Sequence, residues 1–208
     1  MYILTKKIAF PEVSMANRDG LLAIGGDLSA PRLVHAYSNG IFPWYEEGQP
    51  ILWWSPDPRF VLFPNNLKIS KNTKKLLLKN EFKVTINKAF TKVIEQCATV
   101  KRKGQSSTWI TREMINSYCK LHDQGWAKSV EVWKDDELVG GLYGIDLKNG
   151  VFCGESMFSL IHNASKIGFI TLVNQNHYKL IDCQIYTQYL ESLGAEEIPR
   201  EEFLKFLK

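Results

Sequence analysis

The string Ile181-Asp182-Cys183-Gln184 places two polar side chains two positions apart in an otherwise apolar stretch. If the string forms a strand, Asp182 and Gln184 point to the same side of it, because side chains alternate along a strand. A carboxylate beside an amide is costly to bury without partners. The pair therefore either serves a substrate or closes the core through a hydrogen bond. We favour the substrate, and we expect Cys183, on the opposite side, to be packing.

Glu155 is a second carboxylate with unusual surroundings. It lies in the stretch 152–159, whose other residues are apolar or small. A carboxylate in such a place is either held in a salt bridge or available to a cationic ligand. Ser156 beside it has neither a GxSxG context nor an obvious base, so we do not predict a serine nucleophile.

The cysteines and histidines do not cluster. The four cysteines stand at positions 97, 119, 153 and 183 and the four histidines at 35, 122, 162 and 177, with no CxxC or HExxH pattern. We therefore expect a reduced protein with no metal site and no cofactor. The chain also lacks an apolar window of about 18 residues and an N-terminal apolar core, so we expect neither a membrane span nor a signal peptide, and a cytoplasmic location.

The charge is uneven along the chain, although the net charge is only +4. Residues 68–103 contain eleven Lys or Arg against two Glu, and the remainder is net acidic. Lys71, Lys74 and Lys75 share one face of a predicted helix. This basic block is equally consistent with a surface that binds a phosphate backbone and with a helix face that is only exposed to solvent.

The elements that must position these residues fall into two parts. Residues 1–58 are rich in Gly and Pro and contain one clear helix, capped by Ser29 and ending at Asn39. We expect the aromatic stretches 40–45 and 51–59 to be ordered loops with exposed rings. With 45% hydrophobic and 23% charged residues, the composition is that of a globular protein and excludes disorder, collagen and coiled coil.

From residue 59 to residue 208 the pattern becomes regular. Helices are predicted to start at caps formed by Ser70, Asn87, Thr111, Asn163 and Thr187. The helix capped by Asn163 is expected to end near Asn176. Strands are predicted over 129–133, 138–145, 151–155, 180–184 and 195–198. A meander followed by helical crossovers indicates an α+β fold with a mixed sheet. This succession resembles the GNAT (Gcn5-related N-acetyltransferase) fold.

The chain also resembles the bacterial leucyl/phenylalanyl-tRNA–protein transferase family. The matching strings run in the family's order from residue 20 to about residue 203. They are GLLAIGGDLS, RLVHAYSNGIFPWY, PILWWSPDPR, TWIT, SVEVW, LVGGLYG, FCGESMFS, NASK, IDCQ and SLGA followed by IPR and F.

This resemblance implies an enzyme that moves Leu, Phe and, less well, Met from aminoacyl-tRNA to the N-terminal Arg or Lys of an acceptor protein, which enters the N-degron pathway. It implies a monomer whose partners are Leu-tRNA, Phe-tRNA, Met-tRNA and such proteins. The reaction is aminolysis of an activated ester, so it needs no ATP, metal or CoA.

The resemblance also implies roles for individual residues. Asp182, Gln184 and Glu155 would be catalytic, the first two by orienting and activating the acceptor amine, unless ribose hydroxyls carry the proton. The terminal adenosine would bind at Trp44, Trp109, Tyr37 and Tyr118. The aminoacyl pocket would be formed by Leu142, Phe152, Met157, Phe169, Leu172 and Ile181. The tRNA backbone would meet Lys71, Lys74 and Lys75.

Two other classes of function remain open on the residues. A CoA-dependent acetyltransferase would want a glycine-rich pyrophosphate loop before its crossover helix, and residues 159–166 contain none. A binding module for nucleic acid without catalysis fits the basic block, but it leaves IDCQ and the apolar strings unexplained.

Overall fold

The computed structural model describes residues 2–100, 108–175 and 177–208. Its first sheet has the strand order β1-β2-β4-β3. The strands are β1 (Tyr2–Leu4), β2 (Leu21–Gly25), β3 (Phe42–Pro43) and β4 (Leu52–Trp54), and helix α1 (Ala30–Ser38) follows β2. The predicted helix between Ser29 and Asn39 is therefore confirmed.

The expectation of loops at the aromatic stretches is wrong, because β4 lies between β2 and β3 in the sheet. Trp53 explains this position. Its side chain is fully buried, and its indole N–H donates to the carbonyl of Gly25 at 2.8 Å. A large ring that is buried and hydrogen-bonded stabilises strands of two and three residues that Pro and Gly would otherwise interrupt.

The second sheet has seven strands in the order β11-β5-β10-β9-β8-β7-β6. Its strands are β5 (Arg59–Leu62), β6 (Lys83–Ile86), β7 (Ala127–Lys134), β8 (Glu137–Asp146), β9 (Val151–Ser159), β10 (Leu180–Gln184) and β11 (Glu196–Ile198). The β9–β10 pair is parallel and the other pairs are antiparallel. The predicted α+β fold with a mixed sheet is thus confirmed.

The described residues also form six further α-helices. They are α2 (Lys71–Leu78), α3 (Phe90–Thr99), α4 (Arg112–Asp123), α5 (Ala164–Val173), α6 (Gln188–Ser192) and α7 (Arg200–Lys205). Helix α5 contacts β7, β8 and β9. Helix α3 contacts the same three strands and also packs against α4, which itself contacts β7. Within the described ranges, no helix combines the length and the apolar character that crossing a membrane requires.

Of the six predicted caps, three are confirmed and three are wrong, among them Ser29, which precedes α1 without a side-chain capping bond. The hydroxyls of Ser70, Thr111 and Thr187 each accept a hydrogen bond from the backbone N–H three residues on. Asn87 instead accepts from the N–H of Ser129, and Asn163 makes no capping bond. Both asparagines adopt left-handed backbone angles, which Asn tolerates better than most residues. Asn176, the predicted end of α5, lies outside the described residues.

The apolar core runs across residue 58. One cluster of buried side chains joins Leu33 and Trp53 of the first part to Val61, Phe90 and Tyr118 of the second. A second cluster lies under α5. The division into residues 1–58 and 59–208 therefore stays a prediction about chain organisation, while the packing is continuous.

Candidate active site

A cavity of about 340 Å³ opens where the parallel strands β9 and β10 separate. Their pairing ends at Asp182 opposite Cys153, although β9 continues to Ser159. Backbone groups beyond that point have lost their ladder partners on one side. Such a split between strands leaves room for a ligand between two sheet edges.

Apolar side chains from four elements form most of the cavity wall. Five of the six residues predicted for an apolar pocket line it: Leu142 of β8, Phe152 and Met157 of β9, Phe169 of α5 and Ile181 of β10. The sixth, Leu172, is a correction. It is buried in the cluster under α5 and is not among the lining residues, because it packs into the core rather than towards the cavity.

Two tryptophan rings border the same cavity. Trp44 is 38% exposed, and Trp109 is half-buried. The indole N–H of Trp54 donates to the carbonyl of Trp44 at 2.7 Å, and the two rings lie 5.8 Å apart between centroids. This contact supports the exposed ring. An indole face at a cavity can stack on a flat ligand such as a nucleobase, worth about 1–3 kcal/mol per base.

The placement of Tyr37 and Tyr118 corrects the expectation that they bind a base. Both are buried, and neither lines the cavity, so neither offers a free ring face. Their hydroxyls are hydrogen-bonded to each other, and the Tyr118 hydroxyl donates to Glu155 Oε2 at 2.9 Å. The two tyrosines therefore form a hydrogen-bonded chain that ends at the Glu155 carboxylate.

Glu155 lines the cavity with both carboxylate oxygens engaged. Oε1 accepts from the Gln184 carboxamide at 2.7 Å, and Oε2 accepts from Tyr118. Burial raises the pKa of Glu155 from 4.5 to about 7, although the hydrogen bonds from Tyr37, Tyr118 and Gln184 favour the anion. Near neutral pH this carboxyl can therefore both release and take up a proton.

Gln184 reaches Glu155 from a strained turn. Its φ is +65°, and the N–H of Ile185 donates to the carbonyl of Cys183 at 2.8 Å, which closes a γ-turn around it. A left-handed Gln costs about 1–3 kcal/mol and persists only where its surroundings enforce it. The register of β10 shifts between Asp182 and Gln184, and the two side chains bind different partners, Arg59 and Glu155, although both residues border the cavity.

Asp182 is the group that holds this turn. Its Oδ1 accepts from the backbone N–H of Gln184 at 2.9 Å, and the Arg59 guanidinium donates to both of its oxygens, from Nε at 2.8 Å and from Nη2 at 2.7 Å. The Asp182 side chain is fully buried, although the residue borders the cavity. The Asp182 carboxylate therefore bonds to Arg59 and to the Gln184 N–H, and its predicted catalytic role stays a prediction.

Sequence reasoning missed Arg59, although one signal points to it. Arg59 is the only charged residue of the buried strand Arg59–Leu62, and Asp182 is the only one in the apolar strand β10. Two opposite charges that are each isolated in buried strands are expected to find one another.

The predicted phosphate-binding lysines lie on the exposed surface. Lys71, Lys74 and Lys75 are all exposed on α2, which fits either interpretation of the basic block. Before α2, the N–H of Lys68 donates to the carbonyl of Leu193, close in the chain to Leu190, which lines the cavity. The basic residues at positions 101–103 lie outside the described residues.

Comparison with known proteins identifies related sequences. The family model described as leucyl/phenylalanyl-tRNA protein transferase matches residues 61–208, and the model of that family's N-terminal domain matches residues 26–57. A leucyl/phenylalanyl-tRNA–protein transferase from Flavobacterium psychrophilum is 61% identical, with all of both chains covered. One from Syntrophus aciditrophicus is 53% identical over 99% of this chain and 87% of its own.

Solved structures give a weaker likeness. A conserved protein of unknown function from Bacteroides thetaiotaomicron aligns with a TM-score of 0.46 and 10% identity over 89% of this chain and 64% of its own. A GCN5-related N-acetyltransferase from Kribbella flavida aligns with a TM-score of 0.38 and 11% identity over 78% of this chain and 58% of its own. The structural neighbours thus include a GNAT protein, but likeness at these TM-scores carries no argument about chemistry.

We predict that Tyr118→Phe raises the pKa of Glu155 by roughly one unit. The variant removes a hydrogen bond that favours the anion, and such bonds to a charged group are worth about 1.5–3 kcal/mol. NMR titration of the ¹³C-labelled Glu carboxyl should give a midpoint near 7 in the original protein, and a higher one in the variant. Tyr178→Phe, whose hydroxyl donates to Asp146 instead, is the control. A midpoint that falls or stays constant would contradict a hydrogen bond from Tyr118 that stabilises the Glu155 anion.

The same shift has a defined sign for stability. Because the pKa of folded Glu155 lies above its ordinary value of 4.5, the folded state binds that proton more tightly than the unfolded state. The contribution of Glu155 to stability should therefore decrease as the pH rises from about 4.5 through about 7.

Proposed function

The chain belongs to the leucyl/phenylalanyl-tRNA–protein transferase family, and from that premise we propose that it moves Leu or Phe, and Met less well, from aminoacyl-tRNA to the N-terminal Arg or Lys of an acceptor protein. Membership makes it an aminoacyltransferase. The observation that carries the finer proposal is that one cavity is lined by apolar side chains, by the indole rings of Trp44 and Trp109, and by the hydrogen-bonded pair of Glu155 and Gln184.

The donor's aminoacyl end fits the apolar part. The side chain of Leu or Phe would enter among the residues that line the cavity, where the unbranched Met157 can adapt to either shape. The terminal adenosine would stack at Trp44 and Trp109, which border the same space. An apolar pocket separates side chains that differ by one methylene by only about 1–3 kcal/mol, which is consistent with some transfer of Met.

The acceptor's α-amine would approach the pair of Glu155 and Gln184. Its pKa of about 8 leaves a useful neutral fraction near pH 7. The amine nitrogen attacks the ester carbonyl carbon, the new C–N bond forms, and the bond from that carbon to the ribose oxygen breaks. Holding the two reactants together supplies much of the acceleration, since effective molarities of about 10⁵ M or more are reached in this way.

Glu155 would act as the general base and then the general acid of this reaction. The nitrogen must lose one proton as the amide forms, and the departing ribose oxygen must gain one. A carboxyl with a pKa of about 7 is suited to take up the first and return the second at neutral pH. The Gln184 carboxamide, which touches Glu155, would orient the carboxyl and the incoming amine.

The remaining features of the proposal rest on the family. We infer that the protein acts in the cytoplasm as a monomer and that its products enter the N-degron pathway. The charged tRNAs would be Leu-tRNA, Phe-tRNA and Met-tRNA.

The direct test mixes purified protein with [³H]Leu-tRNA and a protein that begins with Arg. We expect label in the acceptor without ATP, metal or CoA, and a Glu155→Gln variant should transfer at least about tenfold more slowly. An acceptor with an acetylated N-terminus is the control and should remain unlabelled. Transfer of acetyl groups from acetyl-CoA instead, or tRNA binding without transfer, would contradict the proposal.

We predict that replacing Lys71 and Lys74 by Glu raises the KM for Leu-tRNA several-fold at low salt and flattens its salt dependence. Each lost phosphate contact should reduce the slope of log K against log salt by roughly 0.9 or somewhat less. The matched control reverses Lys134 and Lys205, which are exposed elsewhere on the surface. An unchanged KM at low and moderate salt would mean that the α2 face is merely solvated.

A further inference from the structure

The Arg59 guanidinium lies where several separate parts of the chain meet. It forms two hydrogen bonds with Asp182 of β10, and its Nη1 donates to the carbonyl of Gly40 at 3.1 Å. Its Cζ lies 4.9 Å from the ring centroid of Phe42 and 4.6 Å from that of Phe203 in α7. The side chain is 1% exposed, so all of these contacts are made away from solvent.

One of these contacts continues into the candidate active site. Asp182 Oδ1 accepts from Arg59 Nε and also from the backbone N–H of Gln184. The bond to the Gln184 N–H fixes the central residue of the γ-turn. Gln184 has a positive φ there, and its carboxamide donates to Glu155. The guanidinium therefore orients the carboxylate that holds the turn.

Other contacts continue to the cavity border. Phe42 and Pro43 form β3, which leads directly to Trp44, and all three line the cavity. Gly40, just before them, has a φ of +73°, and a Cβ at this position would lie 2.9 Å from a methyl carbon of Leu204 in α7. The backbone ahead of Trp44 is thus closely packed, and Arg59 hydrogen-bonds to it.

We propose that Arg59 is a positioning residue for aminoacyl transfer: through Asp182 it holds Gln184 and Glu155 in place relative to Trp44, and Asp182 acts as a brace rather than as a proton acceptor. This inference rests on the proposed function. Its alternative is an ion pair that stabilises the fold alone, and buried pairs of that kind are often replaced by apolar residues without loss of stability.

The decisive variant is Arg59→Met combined with Asp182→Leu. It removes both charges and leaves neither unpaired, so the fold is expected to survive, with a thermal midpoint close to that of the original protein. It also removes the acceptor for the Gln184 N–H. We expect kcat for transfer of Leu to fall at least about tenfold, while the KM for Leu-tRNA stays within about threefold.

A second variant, Asp182→Asn, separates brace from base and decides the matter if the double variant does not fold. Asn keeps Oδ1 as an acceptor for the Gln184 N–H and for Arg59 Nε, loses only the bond from Arg59 Nη2, and cannot take up a proton as a carboxylate does. A brace predicts that kcat falls less than about tenfold. A general base predicts a loss of about 10²-fold or more.

Arg200→Met is the control, since it removes a different ion pair, with Asp57, and should leave kcat and KM unchanged. Two results would overturn the inference: a folded double variant with the original kcat, or an Asp182→Asn protein with an unchanged thermal midpoint and a kcat lowered about 10²-fold or more. Absence of transfer by the original protein would contradict the proposed function instead, so the two failures are distinguishable.

Discussion

A buried guanidinium loses its hydration and must recover it from fixed acceptors. Arg59 does so with the Asp182 carboxylate, the Gly40 carbonyl and two aromatic rings. Those partners belong to three different parts of the chain, so a single side chain ties the segment 40–42 to β10 and α7. The geometry of the Glu155 and Gln184 pair depends on this arrangement, because Gln184 keeps its strained backbone only while Asp182 is held.

Glu155 differs from Asp182 in the charge of its hydrogen-bond partners. Glu155 has no cationic partner among the hydrogen bonds that the described residues make with it; it receives them from Gln184 and Tyr118, which are neutral. Neutral donors offset only part of the cost of burial, so its pKa stays near 7. One carboxylate is thus held in an ion pair with Arg59, and the other is left able to exchange a proton. This contrast assigns different roles to two acidic residues that look alike in the sequence.

Much of the architecture could be predicted from local patterns. The caps at Ser70, Thr111 and Thr187, the alternation of the C-terminal strands and most of the pocket residues follow from periodicity and from the family resemblance. The short strand at Trp53 could not, because a buried ring overrode the Pro and Gly around it. The roles of Tyr37 and Tyr118 were also out of reach, since aromatic residues give the same pattern whether they stack on a ligand or support a carboxylate. The γ-turn at Gln184 depends on a contact with Asp182 that no alternation of side chains reveals.

The account is tested most directly by a crystal structure with 3′-leucylamido-3′-deoxyadenosine, a stable amide analogue of the donor's end. We predict the leucyl side chain inside the cavity against Leu142 and Met157, the adenine on the indole rings of Trp44 and Trp109, and the amide carbonyl within about 3.5 Å of the Gln184 or Glu155 side chain. In that complex the Arg59–Asp182 contacts should be unchanged. A leucyl group that lies outside the cavity, or an Asp182 carboxylate that leaves Arg59 to face the carbonyl, would contradict the account.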